Sequence, residues 1–489
     1  MNHGSQTHVR PQHAWFEVSR SAPPKRAAAE RVGDFLDIYR CYDEDTAQEQ
    51  ASRCLQCPEP MCVTGCPVGS RIPEWMSLTA EGQFIEAAAI CRSANNMPEV
   101  CSRVCPQDRL CEAACILQGR SDAVSIGAIE RFINEYAFAR GAVDANPVSP
   151  NGLRVAVIGA GPVGMACADE LAKRGYGVTV FEAKMVPGGL LIDGIPAFKL
   201  ERSVVERRID LLKKRGVVFR VGVKIGKDIT LNELRTGFDA VFLGFGAQRA
   251  RRMEIPGADL KGVTLALPFI LQTNTEAPLD IPSSAIYGKR VVVLGAGDTA
   301  MDCLRSAIRA HAGAAVCVYR RDEENMPAVR REYENAVEEG AEFVFHAVPV
   351  ALLGDQQGRV SLVRCQRTEL GAKDVTGRRP PIPIPGTEFD VAADLVVAAF
   401  GFEPSPLARM SDLSQLATNE SGGVVVDGRQ MTNLNGVFAG GDMVRGPSLV
   451  VHAVRDARKA AQEIHRFLFA QRVNDLGLSQ ADHFAPEAY

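Results

Sequence analysis

Apolar and polar positions along this chain follow two different periods. In the first 150 residues the spacing is helical. Ile72 to Ile90, with Trp75, Leu78, Phe84 and Ile85 apolar, predicts one helix, Ser125 to Arg140 a second, and Ala27 to Tyr39 a third. From residue 154 onward, short β-branched runs alternate with helical stretches, the pattern of parallel sheets covered by helices. Strands are expected at Arg154 to Ile158 and Val178 to Phe181, on either side of a helix reaching Arg174. A helix from Glu201 to Arg215 and strands near Val217 to Val223 and Asp239 to Gly246 follow. The pattern restarts at Lys289 to Leu294 and Ala315 to Tyr319. Val360 to Arg367 and Phe389 to Phe400 read as further strands, separated by a proline-rich loop, Arg379 to Pro385. Asn146 to Gly152, with two prolines, reads as a linker.

The turns between these elements carry the chemistry. Gly159-Ala160-Gly161-Pro162-Val163-Gly164 stands between a strand and a helix, and the next strand ends at Glu182, a complete βαβ unit for a dinucleotide. Gly159 permits the tight turn, Gly161 lets the backbone approach a pyrophosphate at the helix N-terminus, Gly164 lets helix and strand pack closely, and Glu182 accepts hydrogen bonds from a ribose. Gly188, Gly189 and Leu190 follow, glycines that bring backbone against a flavin. A second unit reads Gly295-Ala296-Gly297-Asp298-Thr299-Ala300, but its next strand ends in Arg320-Arg321 instead of an acid. Two guanidiniums there suit a 2′-phosphate through charge-assisted bonds, so this unit reads as an NADPH site. Near the end, Gly440-Gly441-Asp442 follows a short strand. Asp442 is expected at the ribityl hydroxyls of FAD, or else as a local cap, and the helix after Gly446-Pro447-Ser448 points its positive end at the flavin ring. His452, on that helix, reads as a structural residue, and no side chain is assigned as catalytic.

These turns imply an α/β chain of two Rossmann-like domains preceded by a mostly helical one. The expected boundaries are 1–150 for the helical domain, 151–250 and 400–489 for the two parts of the FAD-binding domain, and 251–399 for the inserted NADPH-binding domain. A net charge of −4 and a pI near 6.1 give no reason to expect nucleic acid or an anionic membrane as partner. There is no apolar run of the ~18 residues a membrane span needs, and Met1 to Arg20 is too polar for a secretory signal, so the expected location is cytoplasmic. Fourteen cysteines in such a chain point to metal or redox chemistry, and ten of them lie between Cys41 and Cys115. Eight of these form two runs, Cys54-x2-Cys57-x4-Cys62-x3-Cys66-Pro67 and Cys101-x3-Cys105-Pro106-x4-Cys111-x3-Cys115. The spacing resembles iron–sulfur ligation, with two structural zinc sites as the competing reading.

The order of cysteine-rich cap, flavin unit, inserted NADPH unit and closing Gly-Gly-Asp resembles the small (β) subunit of bacterial NADPH-dependent glutamate synthase over essentially the entire chain. Local matches are Glu30-Arg31-Val32-Gly33-Asp34-Phe35, Arg53-Cys54-Leu55-Gln56-Cys57, Ile72-Pro73-Glu74-Trp75, Gly194-Ile195-Pro196-Ala197-Phe198-Lys199 and Asn325-Met326-Pro327-Ala328. The same architecture occurs in the N-terminal half of dihydropyrimidine dehydrogenase and in a subunit of ferredoxin–NADP oxidoreductases. The resemblance implies glutathione/adrenodoxin-reductase-like nucleotide domains and two 4Fe-4S clusters with crossed ligands. Cys54, Cys57, Cys62 and Cys115 would hold one. Cys66, Cys105 and Cys111 would hold the other with Glu130, for which Cys101 is the rival, while Cys41 and Cys91 stand aside. It further implies a hetero-oligomer with a large (α) subunit that carries FMN and makes glutamate. A disulfide reductase is disfavoured because no close cysteine pair follows Cys115.

Overall fold

The computed structural model describes residues 14–274, 286–375, 377–404, 407 and 411–475, so most of the polar start read in Met1 to Arg20 lies outside the described residues. Two five-stranded parallel sheets form the centre. The first runs Val437–Ala439, Ala240–Leu243, Arg154–Ile158, Gly177–Glu182 and Val218–Val221 from edge to edge. The second runs Val263–Leu265, Leu395–Ala398, Arg290–Leu294, Ala314–Val318 and Glu342–Val344. In each the glycine-bearing strand lies in the middle, where strand order reverses. Such switch points open a crevice at the carboxyl ends of the strands. After their leading arginines the middle strands are apolar because helices cover both faces: Val155, Ala156 and Val157 in one, and Val291, Val292 and Val293 in the other, are completely buried.

The last strand of the first sheet comes from the far end of the chain, and the 26-residue helix Val450–Asp475 then packs through Ala457, Ala460 and Ala461 on the first nucleotide helix, Pro162–Ala172. The two connections between the sheets run side by side as an antiparallel pair, Arg249–Ala250 with Phe402–Glu403.

The helical cap is built on Trp75, Met76, Phe84, Ile129 and Ile133, all buried, with Phe84 edge-on to Phe132 at a centroid distance of 4.9 Å. Ser125 to Arg140 is helical as Ile126–Ala139. The single helix expected from Ile72 to Ile90 is instead two, Ile72–Ala80 and Phe84–Ala94. Gly82 adopts φ +77°, and the amides of Gly82 and Gln83 bond back to Thr79 and Leu78, a left-handed helix stop that apolar periodicity does not report. Ala27 to Tyr39 is helical only at Ala28–Arg31, because Asp34 takes a bidentate bond from Arg26 and caps the amide of Leu36.

The largest departure from expectation is in the second half. Arg379 to Pro385 is not a loop: Pro381–Ala392 is one strand of an antiparallel meander with Val360–Leu370 and Ala347–Gly354. Pro381, Pro383 and Pro385 alternate on an outer strand, whose free edge needs no amide donors, so proline is tolerated there. The run Phe389 to Phe400 is correspondingly split between this meander and Leu395–Ala398 of the parallel sheet.

Candidate functional site

Each dinucleotide loop has a glycine that the fold requires and a glycine that leaves room for a ligand. Gly159 has φ +98° and no space for a side chain, since a Cβ would stand 2.6 Å from the Gly244 carbonyl oxygen. At Gly164 it would stand 1.9 Å from the Gly159 carbonyl oxygen. Gly161, the N-cap of Pro162–Ala172, has nothing within 4 Å of that position. The second loop repeats this: Gly295 has φ +118° with Ala399 oxygen 2.6 Å from a Cβ, while Gly297, the N-cap of Asp298–Arg309, faces open space. Both helix N-termini therefore open on space that a phosphate fits.

Glu182 lies against the first loop, accepting from the Ala160 amide at 2.8 Å and the Lys184 amide at 2.9 Å. Gly188 donates to Ala160 at 3.0 Å, and Gly189 approaches Gly161 so closely that a Cβ would be 2.9 Å from its Cα. Gly441 backs onto Val163, 3.1 Å from a Cβ position, which brings Asp442 to the same place from the other end of the chain. These residues open on one cleft of about 830 Å³, at the upper end of the ~300–1,000 Å³ usual for small-molecule sites. Gly159, Gly161, Pro162, Glu182, Gly189 and Leu190 line it on one side, Asp442 and Ser448 on a second, and Asp298 and Thr299 of the second unit on a third. Burial pushes the Asp442 carboxyl up to about 7, against the Ser448 amide that bonds its ionised form.

Gly295, Gly297, Ala300, Arg320 and Arg321 do not themselves line that cleft and continue from Asp298 and Thr299 around the second sheet. Ala300 is buried, and Asp298 ties the Asn325–Ala328 turn to the loop by accepting from the Val329 amide at 2.8 Å. Arg320 is exposed at the end of Ala314–Val318. The meander pins the backbone of the arginine pair: Thr368 donates to Arg320 oxygen at 2.8 Å and His346 donates its amide to Arg321 oxygen at 3.0 Å.

Cys54, Cys57, Cys62 and Cys115 converge on one recess whose other walls are apolar, including Met61, Ile72, Met76 and Leu117. Burial raises the Cys54 thiol to about 11 and the Cys62 thiol to about 12, and the facing thiols add to both. Four such thiols ionise together only around a strongly positive centre. A ring of four thiols about an otherwise apolar recess fits a polynuclear cluster.

Cys66, Cys105 and Cys111 come together with both rivals for the fourth position. Cys105 is held well above the usual thiol range by its hydrogen bond with Cys101 and by burial, and Glu130 adds to this. Burial drives Cys111 and Cys66 upward as well, with Glu130 near both. Glu130 is itself pushed up to about 7 by burial. Cys91, set aside by the sequence reading, donates to Glu130 at 3.4 Å. Cys101 and Cys105 pack with Val68, Leu449 and Val450, and the last two also line the dinucleotide cleft. The second thiol set thus lies next to the cleft. The short helix Met61–Gly65 runs from it to the recess, carrying Cys62 to one set and ending at Cys66 in the other.

Lys199 ends the Gly194–Lys199 segment, which the sequence alone gives no role beyond a family match. It enters the cleft wall and pairs with Asp302 at 2.8 Å. A lysine at the end of a glycine-proline loop carries no local signal of a partner 103 residues away.

Two family models match the chain: one described as dihydropyrimidine dehydrogenase domain II, 4Fe-4S cluster, over residues 31–142, and one described as pyridine nucleotide-disulphide oxidoreductase over residues 153–457. The chain is 47% identical over 468 residues to the small chain of NADPH-dependent glutamate synthase from Azospirillum brasilense, covering 94% of this chain and 96% of that one. The corresponding small chain of Escherichia coli K12 is 44% identical, over 93% of this chain and 98% of its own. An E. coli chain designated as the oxidoreductase AegA is 43% identical over 93% of this chain and 71% of its own length. Among solved structures, Mycobacterium tuberculosis FprA in complex with NADPH superposes with a TM-score of 0.57 at 20% identity, over 68% of this chain and 87% of that one, a likeness of fold. With identity this high over nearly its whole length, the chain belongs to the family of NADPH-dependent glutamate synthase small chains, and is an NADPH flavin oxidoreductase with an iron–sulfur domain ahead of its nucleotide-binding domain.

Proposed function

We propose that this chain is the electron-input subunit of glutamate synthase, delivering electrons from NADPH to a large FMN-containing subunit that makes L-glutamate from 2-oxoglutarate and L-glutamine. The observation that carries this reading is the order of sites: a cleft shared by two dinucleotide loops, a thiol set against its wall, and a second thiol set one short helix further on. FAD held in the cleft would supply acceptance of a hydride from NADPH and its release as single electrons, and 4Fe-4S clusters held by the two thiol sets would supply single-electron carriage.

The protein's own residues bind, orient and exclude water. Gly161 and Gly297 leave amides free for the two pyrophosphates, Glu182 takes the FAD ribose and Asp442 the ribityl chain. Arg320 and Arg321 hold the 2′-phosphate. Cys54, Cys57, Cys62 and Cys115 hold one cluster, and Cys66, Cys105, Cys111 and Glu130 the other. No side chain is needed as acid or base, and the chain divides at 150, 250 and 399 into the iron–sulfur domain, the first part of the FAD-binding domain, the inserted NADPH-binding domain and the second part of the FAD-binding domain. A cytoplasmic hetero-oligomer follows from this role; among the described residues no helix is long and apolar enough to cross a membrane.

The test is anaerobic purification from the native host, with iron, acid-labile sulfide, flavin and zinc counted on one sample and co-purifying chains identified. About eight irons per FAD of this chain and a large FMN-containing partner are expected. Zinc without sulfide would remove the electron exit. The 43% identity to AegA favours one further reading, the same module serving another partner, such as a ferredoxin-linked oxidoreductase or a dihydropyrimidine-dehydrogenase-like enzyme. A different co-purifying chain would select it.

A further inference from the structure

A buried run of alternating charge joins the flavin half of the molecule to the NADPH half. Lys199 Nζ, at the end of the Gly194–Lys199 loop, meets Asp302 at 2.8 Å and Glu332 at 3.7 Å. Arg305 pairs with Glu332 at 2.6 Å and Glu339 at 2.9 Å, and Arg309 with Glu339 at 2.6 Å. Phe198, fully buried, lies under the guanidiniums of Arg305 and Arg309 at 4.4 and 4.0 Å. Lys199 is the member of this run that comes from the flavin side. Its side chain is 12% exposed and that of Asp302 is 7%, so the pair is little screened by water.

The position of Asp302 gives the pair its meaning. It lies one helical turn after Asp298 on Asp298–Arg309, the helix whose first turn carries the Gly297 amides and Thr299. Lys199, Asp298, Thr299 and Asp302 all face the same cleft. The helix end that receives one dinucleotide is therefore tied by a buried ion pair to the loop that walls the other. The loop is itself fastened to the second domain by Asn274, whose side chain donates to Ile195 oxygen at 2.9 Å.

We propose that Lys199 is a positioning residue for electron transfer between the two dinucleotide sites: its pair with Asp302 sets the stance of the nucleotide-binding helix end against the flavin cleft. The lysine exchanges no proton in this role. The proposal rests on the reading above that the two loops hold FAD and NADPH. Orientation is worth much here, because a misplacement of about 1 Å can slow a transfer about 100-fold.

The test uses the full chain with Lys199→Met, Lys199→Arg and Asp302→Asn. Hydrogen exchange without nucleotide should quicken at amides 298–303 in Lys199→Met and Asp302→Asn, while Pro162–Ala172 keeps its protection. Single-turnover reduction of the flavin by NADPH should slow roughly 10- to 100-fold, with the Kd for NADPH within about threefold, and Lys199→Arg should recover most of the rate. Unchanged exchange at 298–303, or an unchanged reduction rate, overturns the proposal. So does loss confined to NADPH affinity. If Lys199→Met does not fold, Asp302→Asn decides. A wild-type flavin that NADPH does not reduce would refute the functional reading instead, and the exchange measurement would still decide whether the pair holds the helix.

Discussion

Arg31 donates its Nε to Glu339 at 2.8 Å, both side chains buried, across 308 positions of sequence. This bond fastens the segment ahead of the cysteine-rich cap to the domain of the second parallel sheet, with Lys25 to Glu338 at 2.7 Å beside it. Removing one partner of a buried pair costs about 3–5 kcal/mol when the other charge is left alone, and less here because Glu339 keeps Arg305 and Arg309. Arg31→Ala should therefore release the segment around residues 20–40 to limited proteolysis and lower the unfolding midpoint. Resistance equal to wild type would show that the pair does not hold the segment.

The same cluster makes an acid-sensitivity prediction. Burial opposes ionisation of Glu339 and Glu332, but hydrogen bonds from Arg309 and the charges of Arg305 and Lys199 outweigh it and hold both near about 2, below the ordinary 4.5. A carboxylate depressed in the folded state contributes stability that is complete above its unfolded value and is lost as pH falls through the folded one. Protection of the helix Arg330–Glu338 should hold from pH 7 to about 5 and fall steadily between about 4.5 and 2. Protection that stays flat to pH 2 contradicts this, as does loss already complete at pH 5.

Arg320 and Arg321 should set coenzyme preference. A hydrogen bond to a charged group contributes about 1.5–3 kcal/mol, so loss of the equivalent of one such bond in the double substitution to alanine should raise KM for NADPH roughly 10- to 100-fold and leave KM for NADH within about threefold. An equal rise for both coenzymes would sink the 2′-phosphate assignment.

Glycines of the first loop should fail in different ways. Gly161→Ala meets no atom within 4 Å, so the protein should fold with its unfolding midpoint little changed but lose FAD on gel filtration. Gly164→Ala meets the Gly159 carbonyl at 1.9 Å and should fail to fold or unfold at a much lower temperature. Equal retention of flavin in a well-folded Gly161→Ala would place the pyrophosphate elsewhere.

The rival fourth ligands are separable by spectroscopy. Glu130→Ala should change the EPR signal or potential of one cluster and leave the other untouched, while Cys101→Ser should leave both near wild type. The reverse pattern assigns the ligand to Cys101. Removal of Cys62 should instead abolish the other signal, since Cys62 faces Cys54, Cys57 and Cys115.

Sequence alone determined what depends on neighbours in the chain. A strand, a glycine turn, a helix and a second strand form one local unit, so the two dinucleotide loops, Glu182 and the arginine pair were legible from residue type and spacing. So was the gathering of cysteines into two runs. Which thiols share a recess was carried by family resemblance, and the recess of Cys54, Cys57, Cys62 and Cys115 now brings together residues 61 positions apart. Chain-local reasoning misread the meander, because prolines that forbid an inner strand are harmless on an outer edge, and whether a strand is outer depends on its partners. It merged two cap helices because one left-handed glycine interrupts a helix without disturbing its apolar period. It gave no role to Lys199, Asp302 or Arg31, since a buried ion pair is specified by the residues that exclude water around it. The partners come from segments 103 and 308 positions apart, and only the assembled tertiary structure brings them together.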